Sequence, residues 1–153
     1  MIRIPALFAM AAALTVAPVA TADPATDTSC TPNLAGLSSQ QQGSSAPVRC
    51  ENNQWIPIPQ PADPIDRWVS FGPALTLHGQ AMANPNMLAG SWTATPIGPF
   101  ARCRSVQQAV VVAGMLSPPQ VDQSPPNLPM TFDIVPNAFT IHLSGYCTWV
   151  RNP

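Results

Sequence analysis

The chain has 153 residues, only 8% of them charged, and its formal net charge is −1 at pH 7. All six basic residues are arginine and they form no cluster, so the sequence lacks the basic stripe of a nucleic-acid-binding protein and the polybasic patch that binds anionic lipid. The 20 prolines argue against long helices, because proline has no backbone donor and ends a helix.

Residues 1–22 have the three parts of a secretory signal peptide. Arg3 supplies the positive charge, an apolar run over 4–20 follows, and Ala20-Thr21-Ala22 supplies the small side chains that signal peptidase requires. We expect cleavage after this tripeptide and a mature chain that starts at Asp23 and folds outside the cytoplasm. The alternative is an uncleaved membrane anchor, which the short apolar run disfavours. No later segment is long and apolar enough to span a membrane, so the sequence predicts a secreted or cell-envelope protein.

Residues 23–64 are predicted to form a segment of low order. A polar tract over 38–45 has no hydrophobic periodicity, and four prolines between 57 and 64 favour an extended polyproline II spacer. Cys30 and Cys50 are expected to close a loop within this segment.

Residues 65–153 carry the pattern of a β domain. The stretch 139–149 alternates apolar and polar residues, which is typical of a half-buried strand. Its predicted inward face consists of Phe139, Ile141, Leu143, Cys147 and Trp149. Shorter strands are predicted at 67–71, 74–78, 92–95, 110–112 and 130–135, with the β-branched run at 110–112 as a central strand. Clusters of glycine, proline and asparagine between them mark turns.

Short strands at near-regular spacing predict an all-β fold over residues 65–153. The expected architecture is a small antiparallel β-sandwich, immunoglobulin-like in general outline. The order of cysteine and tryptophan differs from that of a true immunoglobulin domain, so the prediction concerns architecture alone. A small β-barrel is the alternative.

The four cysteines predict two disulfides, because an even number in an exported chain is usually paired. Three connectivities are possible. Cys30–Cys50 and Cys103–Cys147 are favoured, since each pair lies within one compositionally coherent segment. A four-cysteine zinc site is the alternative, although the sequence has no C-x-x-C element.

One cluster could bind a metal. His78, Met82 and Met87 carry the imidazole and thioether groups that suit Cu(I), and His142 could join them from a strand. The competing interpretation is that the two methionines pack within a loop and His78 lies on the solvent face of its strand.

A hydrolase would need a base beside a nucleophile. His78 or His142 could act as the base, with Asp133 or Asp66 orienting it, but no serine lies in a G-x-S-x-G motif. We therefore expect no catalytic residues and no cofactor.

Loops on a rigid β scaffold often carry recognition. The predicted contact loops lie at 84–87, 96–100 and 117–129. Their candidate binding residues are Asn84, Met87, Phe100 and Leu128. Exposure of the three apolar ones would mark a contact patch, and the alternative is that they fold back onto the core.

Three features together resemble small exported proteins of mycobacteria and related actinobacteria. They are the leader that ends at Ala22, the Cys50–Trp55 element and the β domain that contains Cys103 and Cys147. The resemblance implies location and source and brings no activity. We predict a non-catalytic binding module for a protein or another envelope component, with no nucleic-acid partner. An extracytoplasmic copper-binding protein and a small secreted hydrolase are the alternatives.

Overall fold

The computed structural model describes residues 28–41 and 43–153, so the predicted signal peptide lies outside the described residues. In these ranges the chain forms one short 3-10 helix, Pro32–Leu34, and otherwise only strands. The strands are β1 (Ser38–Gln40), β2 (Pro47–Glu51), β3 (Gln54–Pro57), β4 (Arg67–His78), β5 (Gly90–Pro96), β6 (Arg104–Val112), β7 (Met115–Leu116), β8 (Gln120–Gln123), β9 (Met130–Ile134) and β10 (Ala138–Arg151). Across the described ranges, no helix is long and apolar enough to cross a bilayer.

Strand β10 is the centre of the sheet. One edge of β10 pairs with β4 along most of its length. Two strands share its other edge: β6 pairs with the first half of β10 and β5 pairs with the second half. The sheet then continues from β5 to β9, from β6 to β7 and β8, and from β4 to β1, β2 and β3. Only the β1–β4 pair is parallel among the described strands. The all-β prediction is confirmed, and the described sheet does not close into the alternative barrel.

The main core is formed by side chains of β4, β5, β9 and β10, together with Ile65, Met87 and Cys103 from the segments between strands. Three of its tryptophans, Trp68, Trp92 and Trp149, are fully buried, and the Trp149 ring meets Phe132 edge to face at 5.8 Å. Each of the three indole N–H groups donates a hydrogen bond, to the carbonyls of Ile65 and Leu88 and to the hydroxyl of Ser70 respectively. Burying an indole is favourable here because its single polar group keeps a partner.

Two register shifts change which residues face the core. The pairing of β4 with β10 shifts by one residue at Pro73 and Ala74. Before the shift the even-numbered Trp68 faces the core, and after it the odd-numbered Leu75 and Leu77 do so. A proline is tolerated inside this strand because a bulge there leaves a residue outside the ladder.

The second shift lies between Ala138 and Thr140 on β10. Ala138 is fully buried, whereas Phe139 is only half-buried. The prediction that Phe139 shares the inward face of Ile141 is therefore wrong, because a bulge reverses the alternation. Ile141, Leu143, Cys147 and Trp149 are buried as predicted.

The N-terminal segment is more ordered than predicted. Its described part forms β1, β2 and β3, which extend the sheet beyond β4, and a second core that covers the outer face of β4 at Val69. This N-terminal core contains Cys30, Leu34, Leu37, Val48, Cys50, Trp55 and Val69. The low-order prediction fails because β1 is polar: Ser38, Ser39 and Gln40 are buried, and a pattern search for apolar residues does not detect such a strand.

The run Val110–Val112 is not a central strand. It continues β6 beyond the point where β10 begins, and it turns at Gly114 into β7. Val111 and Val112 are exposed to solvent. The predicted contact loop 117–129 is also partly regular, since it contains β8.

Both predicted disulfides are present. Cys30 is bonded to Cys50 and Cys103 to Cys147, and the described part of the chain contains no free cysteine. The first bond lies in the N-terminal core, and the second joins β10 to the residue that precedes β6.

Candidate functional site

A cavity of about 510 Å³ lies on the outer face of β4. We call it the β4 cavity. It is lined by Ser39, Gln40, Gln41, Gly43, Ser44, Ser45, Phe71, Pro73, Ala74, Leu75, Thr76 and His78. The turn that follows β1 forms one wall and the second half of β4 forms the other. Its volume is that of an ordinary small-molecule site.

The side chain of Gln40 fixes the two walls to each other. Its Nε2 donates to the carbonyl oxygens of Thr76, at 2.9 Å, and Ser45, at 3.1 Å, and its Oε1 accepts from the Thr76 N–H at 3.0 Å. The amide therefore pairs with Thr76 as a neighbouring strand would, beyond the end of β1. Because Gln40 is buried and both of its amide N–H groups bond to the protein backbone, its side chain positions the walls of the cavity.

The groups left to meet a ligand are uncharged or weakly basic. No Asp, Glu, Lys or Arg lines the cavity, and His78 is its one titratable residue. The exposed Ser45 hydroxyl can donate and accept, and the Thr76 hydroxyl, which contacts His142 Nδ1 at 3.3 Å, keeps capacity for a further bond. Phe71 adds an aromatic wall between Trp55 and Tyr146. A mixed apolar and hydroxyl lining without charge suits a neutral polar ligand.

A smaller cavity of about 310 Å³ continues the first. The two share Ser44, Ser45, Thr76 and His78, and the smaller one extends to Asn84, one of the predicted contact residues. The loop around Asn84 is anchored by Asn86, whose Oδ1 accepts from the His78 N–H at 2.8 Å and whose N–H donates to the His78 carbonyl at 2.9 Å. The structure thus places Asn84 at the rim of a cavity.

Met87 does not belong to any contact surface. Its side chain is fully buried in the main core, although its N–H lies 3.3 Å from the His78 carbonyl oxygen. The proposed Cu(I) set of His78, Met82 and Met87 is therefore not assembled, because the backbones approach while one thioether points into the core. Among the described residues, no group of three or more His, Cys, Asp or Glu side chains is placed to hold a metal ion.

Phe100 and Leu128 lie on two loops that the fold brings together. The Asn127 N–H donates to the Ala101 carbonyl at 2.8 Å, and both apolar side chains are exposed, Phe100 by 86% and Leu128 by 54%. They lie beside the start of β6, at the opposite end of that strand from the Val111 turn. These two side chains therefore do not fold back onto the core, and their use as a contact patch stays a prediction.

The histidines and carboxylates of the hydrolase hypothesis lie apart. His142 Nδ1 contacts the Thr76 hydroxyl at 3.3 Å on the outer face of the β4–β10 pair. Asp133 is exposed on β9, whose strand partner is β5. Asp66 lies 3.8 Å from Arg151 in a surface ion pair. Asp133 is opposite Ser91 on β5, and neither histidine contacts this pair in the described hydrogen bonds.

The sequence carries no signal that marks Gln40 or Thr76 as site residues. Gln40 belongs to the polar tract that we predicted to be unordered, and Thr76 is an ordinary outward residue of a predicted strand. Their roles depend on the parallel start of β1 beside β4, which involves residues about 30 apart in the chain.

No family model, curated protein or solved structure matches this chain.

Proposed function

We propose that the protein is an extracytoplasmic, non-catalytic binding module that takes a neutral carbohydrate segment into the β4 cavity. The observation that carries the proposal is the lining of this cavity: about 510 Å³ with hydroxyl, amide and aromatic groups and no charged side chain other than a titratable histidine. Sugars are recognised by hydroxyl hydrogen bonds together with apolar ring contacts, and both kinds of partner are available here.

The extracytoplasmic part of the proposal is supported by two disulfides and by the predicted leader. Disulfides persist in oxidising compartments and are rare in the cytosol. Exported proteins meet the sugars of the cell envelope, so ligand chemistry and compartment agree.

The walls of the β4 cavity are held in place by hydrogen bonds, so ligand binding would order few further residues. Gln40 ties the turn to β4, and Ser39 adds a hydrogen bond of 2.9 Å from its hydroxyl to the Val69 carbonyl. A site that is held in place before the ligand arrives loses less conformational entropy on binding.

The test is calorimetric titration with neutral oligosaccharides of glucose, mannose and galactose, and with uronic acid oligosaccharides for comparison. We expect saturable binding of at least one neutral oligosaccharide. Ala74→Trp should abolish it, because Ala74 is an exposed lining residue and an indole there would occupy the cavity. Ala35→Trp is the matched control, since Ala35 is exposed at the end of the 3-10 helix and outside the cavity.

Unchanged binding by the Ala74→Trp chain would place the ligand elsewhere and contradict the proposal. So would binding of the acidic oligosaccharides alone. An unchanged thermal midpoint in both variants shows that the comparison concerns the site and not the fold.

A further inference from the structure

The most exposed apolar element of the described chain is the hairpin at 110–117, which we call the tip hairpin. Its exposed side chains are Val111 at 62%, Val112 at 54%, Met115 at 61% and Leu116 at 41%. The sequence has no charged residue between Arg104 and Asp122, so the whole hairpin is uncharged. We propose that this hairpin inserts into the outer layer of a lipid bilayer and attaches the protein to a membrane surface.

The hairpin projects beyond the sheet. Ala109 is the last residue of β6 that pairs with β10, and the following residues pair only with β7. Its base is fixed on both sides. Ser117 donates from its N–H to the Ala109 carbonyl at 2.8 Å and accepts from the Ala109 N–H at its hydroxyl at 3.0 Å. On the other side, Asn137 accepts from the Val110 N–H at 2.9 Å and donates to the Val110 carbonyl at 2.7 Å.

The tip hairpin is apolar on both faces, which favours a bilayer over a protein partner. Val110 is opposite Leu116 and Val112 is opposite Met115. Met115 and Leu116 are consecutive residues of a strand and therefore point to opposite faces, and both are exposed. A flat protein surface would cover one face and leave the other in water. Hydrocarbon would surround both faces.

The absence of charge agrees with entry into the outer layer of a bilayer, because a charged side chain is costly there. The hairpin has two strands and therefore two open edges, so it lies at the boundary of headgroups and acyl chains, where headgroups and water can pair with the backbone. The absence of basic residues from the hairpin means that its attachment does not depend on anionic headgroups. The exposed area is small, so the attachment is reversible, as for a single short acyl chain.

A tryptophan placed at the tip tests the proposal in the full chain. The four native tryptophans are buried and the predicted leader contains none, so the added residue reports on its own surroundings. With vesicles of phosphatidylcholine that carry brominated acyl chains, we expect the added fluorescence of Met115→Trp to shift to shorter wavelength and to be quenched. Leu128, which is 54% exposed against 61% for Met115, lies near the far end of β6, and Leu128→Trp should show neither change.

A variant with a less apolar tip hairpin provides a second test. Val112→Ser with Met115→Ser should lower co-sedimentation with plain phosphatidylcholine vesicles by about tenfold or more, because two apolar side chains no longer leave water. Phe100→Ser with Leu128→Ser should leave co-sedimentation unchanged.

Three results would overturn the proposal. The first is an absence of Met115→Trp quenching at millimolar lipid. The second is quenching only in vesicles that contain anionic phosphatidylglycerol. The third is a concentration-dependent shift of Met115→Trp emission without vesicles, which would assign the hairpin to contact between copies of this chain.

Discussion

Gly145 lies at a bend of the central strand β10 where only glycine fits without collision. It has a φ of +98°, and it lies where β4 shifts register against β10. A β-carbon at this position would collide with the Arg102 carbonyl oxygen. The Gly145 carbonyl also accepts from the Ser70 hydroxyl at 2.7 Å, and Ser70 in turn accepts from the Trp149 indole at 2.9 Å. The bend at Gly145, the disulfide at Cys147 and the buried Trp149 therefore lie within five consecutive residues of β10.

Gly145→Ala should lower the free energy of unfolding by about 3 kcal/mol or more, because the substitution adds both a collision and a strained φ. Gly114→Ala is the matched control. Gly114 also has a positive φ, of +79°, but a β-carbon there meets no atom within 4 Å, so a loss of about 1 kcal/mol is expected. Guanidinium denaturation with intact disulfides measures both, and equal losses would contradict the close approach to Arg102.

At the scale of elements, side-chain amides complete the sheet where strands end. Gln40 pairs with Thr76 beside β4, and Gln107 on β6 pairs with β9. Gln107 Nε2 donates to the Asp133 carbonyl at 2.7 Å, and its Oε1 accepts from the Val135 N–H at 3.1 Å. Strands β6 and β9 are not neighbours in the sheet, so this buried amide joins its two branches.

Gln107→Leu should destabilise the protein by about 2–4 kcal/mol, because it leaves a backbone acceptor of β9, the Asp133 carbonyl, and the N–H of Val135 just after β9 without partners. Gln120→Leu, on the exposed strand β8, should change the stability by less than about 0.5 kcal/mol. The urea midpoint of each variant checks this prediction. A Gln107→Leu chain as stable as the native one would mean that the amide does not hold β6 to β9.

The elements show which parts of the fold can be read from sequence. Ile141, Leu143, Cys147 and Trp149 were predictable because alternation along one strand is a local signal. The buried strand β1 and the inward Ala138 were not. β1 is held by Ser39 and Gln40 bonding to distant backbone groups, and Ala138 turns inward because of a bulge. Both depend on contacts between chain-distant residues.

The candidate site was predictable only at its rim. Asn84 was expected from turn chemistry and lines the smaller cavity, whereas Met87, three residues later, is a core residue. Three consecutive valines indicate strand conformation equally well in a core and in a projecting hairpin, so the prediction of a central strand at 110–112 is right about conformation and wrong about position.

At the scale of the whole molecule, the two disulfides stabilise different parts of the chain. Cys103–Cys147 closes a separation of 44 residues across the main core, and Cys30–Cys50 closes one of 20 residues in the N-terminal core. In the chain-entropy account they contribute about 4 and about 3 kcal/mol respectively. Replacing both cysteines of one pair by alanine therefore separates their effects.

Cys30→Ala with Cys50→Ala should expose residues 28–64 to proteolysis while the main core keeps its cooperative unfolding. Cys103→Ala with Cys147→Ala should lower the stability of the whole chain. Limited proteolysis with mass spectrometry, together with thermal unfolding, distinguishes the two. Simultaneous loss of all structure in the first variant would show that the N-terminal core and the main core form one cooperative unit.

The β4 cavity and the tip hairpin lie at the same end of the β4–β10–β6 sheet. His78 at the end of β4 is opposite Thr140, and Thr140 is opposite Gln108 just before the hairpin. A protein attached through the hairpin would hold the cavity close to the membrane surface.

The most direct test of the binding account is the backbone amide spectrum of the ¹⁵N-labelled chain during titration with the neutral oligosaccharides. The account predicts that the largest chemical-shift changes occur at Ser44, Thr76 and His78, on the two walls of the β4 cavity. Changes confined to Phe100 and Leu128 or to the tip hairpin would contradict it, as would a spectrum that responds to acidic oligosaccharides alone.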